Sequence, residues 1–381
     1  MKKVYIWSKF PIVIDLNLYD YIATKLNTDV FILHFQELGQ DRKVCGYSEE
    51  FGRTRSIKLN SMAEAKEMLE SIFQDINIFF GILHENRILI DYLISLDPGT
   101  KIGIISERYN PFGNYLVRLG KKFLRSLQYA KLAAKWKGNI AMFLAYGEIG
   151  MTYFEQCGFQ RNVLYPTIYC VNSAFVDPMS GNTNIALEEG NRERLKFIYV
   201  GRLCFGPKGV DILIKAFDRI RSYDWSLDIA GGYGEDAKEI VEWANSRDKV
   251  NYIGLIGAKD VINTLTHYDV CVVPSRREGY NTLPGQSIAA QIGCIATDET
   301  VSSELIRKAK SGIVVKAGSI SELKSALEYT IENKFVVRQW KKNAAIYSKN
   351  ISVNTVGEYI VNIIERQFLD YDIDRPSCPW L

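Results

Sequence analysis

The stretch KFIYVGRLCFGPKGVDILIKAFDRI, residues 196–220, decides the fold. It opens on an apolar run, passes through a glycine-rich turn and ends in residues of helical period. Val210, Leu213, Phe217 and Ile220 recur at spacings of three, four and three, which is the stripe of an amphipathic helix laid on a sheet. A run that is apolar throughout, instead of alternating, suits a parallel strand covered by helices on both faces.

Similar units recur along the chain. The first half holds the runs VYIW (4–7), VFILHF (30–35), INIFFGIL (76–83), KIGIIS (101–106) and IAMFLAY (140–146). The second half adds SLDIAG (226–231), VNYIG (250–254), DVCVVPS (269–275), CIAT (294–297) and GIVV (312–315). Strand and helix alternating twice over predict an α/β protein of two doubly wound, Rossmann-like domains, with a central cleft at their facing strand ends. The polar stretch FVDPMSGNTNIALEEGNRERL (175–195) reads as the seam. The expected division is an N-terminal domain over 1–175, a C-terminal domain over 176–360 and a tail over 361–381.

Composition agrees with this and narrows the function classes. A chain of 381 residues, 47% hydrophobic and 24% charged, can fill two cores. Its net charge of +3 indicates neither global disorder nor wholesale nucleic-acid binding. Seven scattered cysteines, odd in number and without a C-x-x-C pair, point to reduced thiols in a cytoplasmic protein. Three histidines far apart, His34, His84 and His267, argue against a histidine metal centre. No segment reaches the roughly 18 uninterrupted apolar residues of a membrane span. The start, MKKVYIWSKFPIVID, has the charge of a signal peptide's first region, but Lys9 and Asp15 break its apolar run, and it reads as a first strand. DYDID (370–374) reads as a solvated acidic turn in the tail and not as a metal site.

In such folds the chemistry follows the strands. After the first strand of the second half come Gly201-Arg202, then Gly206-Pro207, then Lys208-Gly209 opening the helix. Two cations beside helix amides suit a diphosphate, although a solvated basic loop explains the same residues. The turn IAGGYGED (229–236) lacks the G-x-G-x-x-G spacing of a dinucleotide fingerprint. A third turn, SRREGYNTLPGQSIAAQIG (275–293), carries one carboxylate, Glu278, and has Gln286 where a second acid is sought. Pro284 suits a first helical turn, which puts Gln286 at the third position, where glutamine can serve as a cap.

Taken together, Gly201-Arg202, Lys208-Gly209, the glycine turn, VNYIG and the 275–293 turn resemble, in order and spacing, the retaining family-four glycosyltransferases of bacterial polysaccharide, O-antigen and capsule synthesis, enzymes of GT-B fold. The likeness covers residues 196 to about 316 well, and the first half only through SERYNP and AYGEIGMTYFEQCGFQRNVLYPTIYCV. It implies transfer of a sugar from a UDP- or GDP-sugar to a glycan or lipid-linked glycan, without a metal or other cofactor. Arg202 and Lys208 would hold the donor diphosphate and Glu278 would face the sugar hydroxyls, which makes these three the implied catalytic set. Gly201, Gly232, Ile253 and the amides of Asn281, Thr282 and Leu283 would complete the donor site, with Gln286 at the ribose. Many relatives have a histidine after a first-domain strand. Here that turn reads IISERYNP, so Glu107 and Arg108, with His84 after another strand, are the acceptor candidates. The tail would cross back to the N-terminal domain. A nonenzymatic sugar-nucleotide or glycan binder on the same fold, and a GT-B sugar-nucleotide epimerase, are the competing functions.

Residues 108–147 hold eight Lys or Arg and no acid. Leu116, Leu119, Phe123, Leu127, Ala130 and Ala134 form an apolar stripe, with Arg118, Lys122 and Arg125 on another face. The stripe is expected to pack on the sheet, and the cations to reach either solvent or an anionic membrane. The latter would make the protein peripheral on the inner face of the plasma membrane. Nucleic acid is not an expected partner.

Overall fold

The computed structural model describes residues 2–11, 15–37, 39, 43, 52–111, 115–172, 194–222, 224–232 and 234–381. The expected seam, except for its last two residues, lies outside them. The chain divides into two compact units, one of residues up to 170 together with 353–379, the other of 171–352 together with Trp380 and Leu381.

The first unit is built on a parallel sheet of β1 (Val4–Ser8), β2 (Val30–His34), β3 (Thr54–Lys58), β4 (Ile76–Phe80), β5 (Ile102–Ser106), β6 (Ile140–Tyr146) and β7 (Leu164–Thr167), in the order β3-β2-β1-β4-β5-β6-β7. Its helices are α1 (Leu16–Lys25), α2 (Met62–Ile72), α3 (Glu85–Leu96), α4 (Tyr115–Lys135) and α5 (Gly147–Gln156). Trp7, Phe79, Phe143 and Phe154 are fully buried in its core, and the Trp7 indole donates to Asn77 Oδ1 at 2.9 Å.

The second unit repeats the design with β8 (Leu195–Val200), β9 (Trp225–Ala230), β10 (Val250–Gly254), β11 (Val270–Val273), β12 (Gly293–Thr297) and β13 (Gly312–Val315), ordered β10-β9-β8-β11-β12-β13. Helices α6 (Val210–Phe217), α7 (Ala237–Asn245), α8 (Val261–Leu265), α9 (Leu283–Ala289), α10 (Ser303–Ala309), α11 (Ile320–Glu332) and α12 (Lys334–Tyr347) follow its strands. The last helix, α13 (Val353–Phe368), belongs to the first unit, where it packs along α1.

The return to the first unit thus begins at 353, where the sequence suggested 361. The helix joins as a whole because Gly357 lets it lie against the Tyr21 ring, which a Cβ there would overlap. Arg375 fastens the segment after α13 by donating to the carbonyls of Asn162 (2.6 Å) and Leu164, with its guanidinium 4.1 Å over the Tyr165 ring. The final two residues group with the second unit, where the Tyr347 hydroxyl donates to the Trp380 carbonyl.

Among the described residues, two strands escaped the sequence reading, and both lie on the sheet edges. TRSIK of β3 keeps its charges because one side of an edge strand meets water, and LYPT of β7 tolerates Pro166 because an edge leaves a donor unused.

The amphipathic helix α4 corrects the expectation more sharply. Its buried side is made by Tyr129, Leu132 and Ala133, with Trp136 buried just past its end. The expected stripe points away from the core: Leu116 is 76% exposed and Phe123 64%, with Leu119, Leu127, Ala130 and Ala134 exposed as well. Arg118, Lys122 and Arg125 are half-buried instead, and the Arg125 guanidinium sits 4.5 Å over the Tyr109 ring. Period alone marks an apolar face without saying which side of the helix meets the protein.

A buried acid at the start of α1 gives the first unit a pH signature. Burial pushes the Asp15 carboxyl up to about 8, partly offset by the Tyr146 hydroxyl, and its Oδ1 has no hydrogen-bond partner. Between the ordinary 3.8 and about 8 the folded chain therefore binds more protons than the unfolded one. This group makes stability fall as pH rises through that window, by about 1.4 kcal/mol per pH unit. Urea midpoints of Asp15→Asn are expected to lose that decline, and an unchanged slope would show that Asp15 is ionised in the fold.

Candidate functional site

In the second sheet β8 has β9 on one side and β11 on the other, so the strand order reverses between β8 and β11. Open α/β sheets bind ligands at the carboxyl ends of such a pair. The turns that follow these two strands, 201–209 and 274–282, are two of the three singled out in the sequence.

Their backbones touch. Gly209, in the left-handed region at φ 67°, caps α6 where a Cβ would overlap the Pro274 carbonyl oxygen. Gly231 and Gly234 fit against the Gly201 and Leu203 carbonyls in the same way. The glycine turn exists so that the 201–203 backbone can lie against it, which explains why it lacks a dinucleotide spacing. Gly201 has φ 152°, and its amide donates to Ala230 O at 3.0 Å.

This contact brings Lys208 to Glu278 across 70 positions of sequence. The carboxylate Oε1 accepts from Lys208 Nζ, from Ser275 Oγ at 3.0 Å and from Asn281 Nδ2 at 3.3 Å. The two charged side chains are only 18% and 15% exposed, so the ion pair is screened little by water. Arg202 differs. Its side chain is exposed and has no hydrogen bond or ion pair among the described residues, while its carbonyl accepts the Tyr199 hydroxyl at 2.7 Å.

Around Glu278 the turn is tightly prescribed. Asn281 takes a left-handed conformation, φ 57°, and its Oδ1 accepts the Leu283 amide at 3.0 Å. One of the three amides assigned to the phosphates is therefore already satisfied. The Ser302 hydroxyl holds the turn from behind, 2.6 Å from Asn281 O and 2.8 Å from Tyr280 O. Helix α9 starts at Leu283 and not at Pro284, with Thr282 as its N-cap. Gln286 serves no backbone cap; its Oε1 accepts the Thr282 hydroxyl at 3.3 Å. Gly232 packs on Leu255, and Ile253, 39% exposed, is the penultimate residue of the edge strand β10.

Arg276 went unnoticed in the sequence. Its guanidinium grips Asp211 of α6 through two bonds, 2.5 and 2.7 Å, and donates to Phe205 O, while its amide reaches Pro207 O at 3.0 Å. Burial opposes ionisation of Asp211, but Arg276 and Lys215 hold its carboxyl below the usual range. Arg276 thus locks the Glu278 turn to the Lys208 loop. No spacing marks it, because its partner lies 65 positions away.

The acceptor candidates belong to the first unit. Glu107 follows β5 and accepts the Tyr169 hydroxyl at 3.1 Å, with Arg108 half-buried beside it. His84 follows the neighbouring strand β4 and is the exposed N-cap of α3, at φ 53°.

Residues 183–347 match the family described as glycosyl transferases group 1. An uncharacterized glycosyltransferase of Methanocaldococcus jannaschii is 28% identical over 159 residues, 41% of this chain and 43% of that protein. The lipopolysaccharide core biosynthesis mannosyltransferase LpcC of Rhizobium leguminosarum is 27% identical over 138 residues, 32% of this chain and 38% of that protein. The matches thus span less than half the length of either relative. Among solved structures, Alr3699/HepE of Anabaena in complex with UDP superposes with TM-score 0.71 at 13% identity, over 96% of this chain and 100% of that one. By two-sheet architecture and superposition the chain has the α/β GT-B fold, and its residues 183–347 are similar to the glycosyl transferases of group 1.

Proposed function

We propose that the protein transfers a sugar, with retention, from a UDP- or GDP-sugar to a glycan or lipid-linked glycan in cell-surface polysaccharide synthesis. The observation that carries this is the Lys208–Glu278 pair at the point where the strand order reverses, beside the amino terminus of α6. Breaking a sugar–phosphate bond builds negative charge on the departing diphosphate, and a fixed ammonium aimed at it is an effective stabiliser. The donor phosphates would draw Lys208 from Glu278, and the freed carboxylate would accept hydroxyl protons of the sugar. Arg202 adds an exposed second cation, so the reaction is proposed to run without a metal. The Anabaena neighbour, solved with UDP, and the Rhizobium mannosyltransferase of lipopolysaccharide core biosynthesis support this choice of donor and pathway.

Incubation with a panel of UDP-, GDP- and ADP-sugars and a membrane extract as acceptor is expected to release nucleoside diphosphate from one donor. Thermal stabilisation by a nucleotide without release would favour a binding protein, and conversion of the donor to an isomer would favour an epimerase. No stabilisation by any nucleotide would remove the reading.

The same proposal seats the protein on the inner face of the plasma membrane through the outward stripe of α4. No helix among the described residues is long and apolar enough to cross a membrane. Exposed Leu116, Phe123, Leu124 and Leu127, flanked by Lys121 and Lys131, suit insertion into an anionic surface. Phe123→Ser is expected to reduce sedimentation with anionic liposomes, and equal sedimentation with neutral and anionic liposomes would count against this seat.

A further inference from the structure

Between α3 and α4 the first unit has an open groove of about 720 Å³. Arg87, Arg125, Lys131 and His84 line it, with a single acid, Asp91. That acid is already engaged, by Lys135 Nζ at 2.7 Å and by the Trp136 indole at 2.8 Å. Among the described residues, Arg87 and Lys131 have no hydrogen bond or ion pair, and Arg125 is held by stacking on Tyr109 and Tyr129. A stacked guanidinium keeps its in-plane N–H edge for an anion. Three cations therefore share one groove with no carboxylate left to balance them, and an anion bound among them relieves their mutual repulsion.

The position also favours a ligand. Leu83 and His84, just after β4, bring one end of the groove to the carboxyl edge of the sheet, and Arg125 reaches from it to Tyr109, just after the neighbouring β5. Leu124 and Leu127, exposed on α4, stand near its Arg125 and Gln128 wall.

We propose that this groove binds a phosphate group, held by Arg87, Arg125 and Lys131. Arginine supplies paired donors to phosphate oxygens and lysine a point charge. Identifying this phosphate with that of a lipid-linked acceptor rests on the transfer reading above; the binding itself does not.

Calorimetric titration of the full chain with inorganic phosphate, and separately with dodecyl phosphate below its micelle concentration, tests this. Saturable binding of either is the expected result. Binding of both identifies a free phosphate as sufficient, and binding of dodecyl phosphate alone identifies a lipid-borne one. Arg87→Gln and Lys131→Gln are each expected to weaken binding about tenfold. Lys137→Gln, an exposed residue of the same basic segment outside the groove, removes equal charge and is expected to leave it unchanged. Absence of saturable binding with both probes, or an equal loss in Lys137→Gln, would overturn the site. Nucleotide binding measured on the same preparations keeps this result separate from the fate of the donor site.

Discussion

Lys208→Ala is expected to lower kcat/KM for the sugar nucleotide about a hundred- to a thousandfold, the effect of removing one preorganised donor from a charged transition state. The substitution removes the nearly buried cation that pairs with Glu278 in the turns after β8 and β11. It also leaves Glu278 without its counter-charge, although Ser275 and Asn281 still donate to the carboxylate. The mutant should therefore fold, with a lowered Tm, since a nearly buried charge is stranded. Arg202→Ala provides the contrast. Its side chain is exposed and unpaired among the described residues, so its loss should lower turnover while Tm stays at the wild-type value. Steady-state kinetics and melting curves on the two variants check both halves. Near-wild-type turnover in both would sink the site assignment.

Most of the fold was legible because a covered parallel sheet writes itself as apolar runs. The eleven runs read from the sequence coincide with strands in the structure to within a few residues. The runs that failed to show were those at edges, where β3 and β7 need not be apolar throughout. At the candidate site, the glycines and Lys208 were visible because a turn between strand and helix restricts residue type. The bonds that fix the turn were not. Arg276 to Asp211 and Ser302 to the 280–281 carbonyls join residues far apart in sequence, through types that occur on any surface. Helix α4 shows a different limit. Its period was plain, but two apolar sides compete for the protein, and the larger aromatic residues Tyr129 and, just past its end, Trp136 took the inner one.

The turn at 275–293 invites the question whether Glu278 and Gln286 are a pair with one acid lost, and the geometry gives each a separate task. Glu278 faces Lys208, Ser275 and Asn281, while Gln286 lies within α9 and meets only the hydroxyl of Thr282 among the described residues. In Glu278→Gln the amide oxygen can still accept from Ser275 and Asn281. It cannot balance an ammonium that is 18% exposed, nor accept sugar hydroxyls with the strength of a carboxylate. Turnover is expected to fall by about a hundredfold or more. In Gln286→Glu the acceptor to Thr282 is kept, no bond donated by the amide is lost among the described residues, and a negative charge in the first turn of a helix is favourable. Transfer should stay measurable, with any change confined to KM for the nucleotide, because the ribose needs an acceptor that both side chains supply. Paired kcat and KM measurements on the two variants decide the matter: tolerance at 278 with loss at 286 would reverse the roles assigned to these residues.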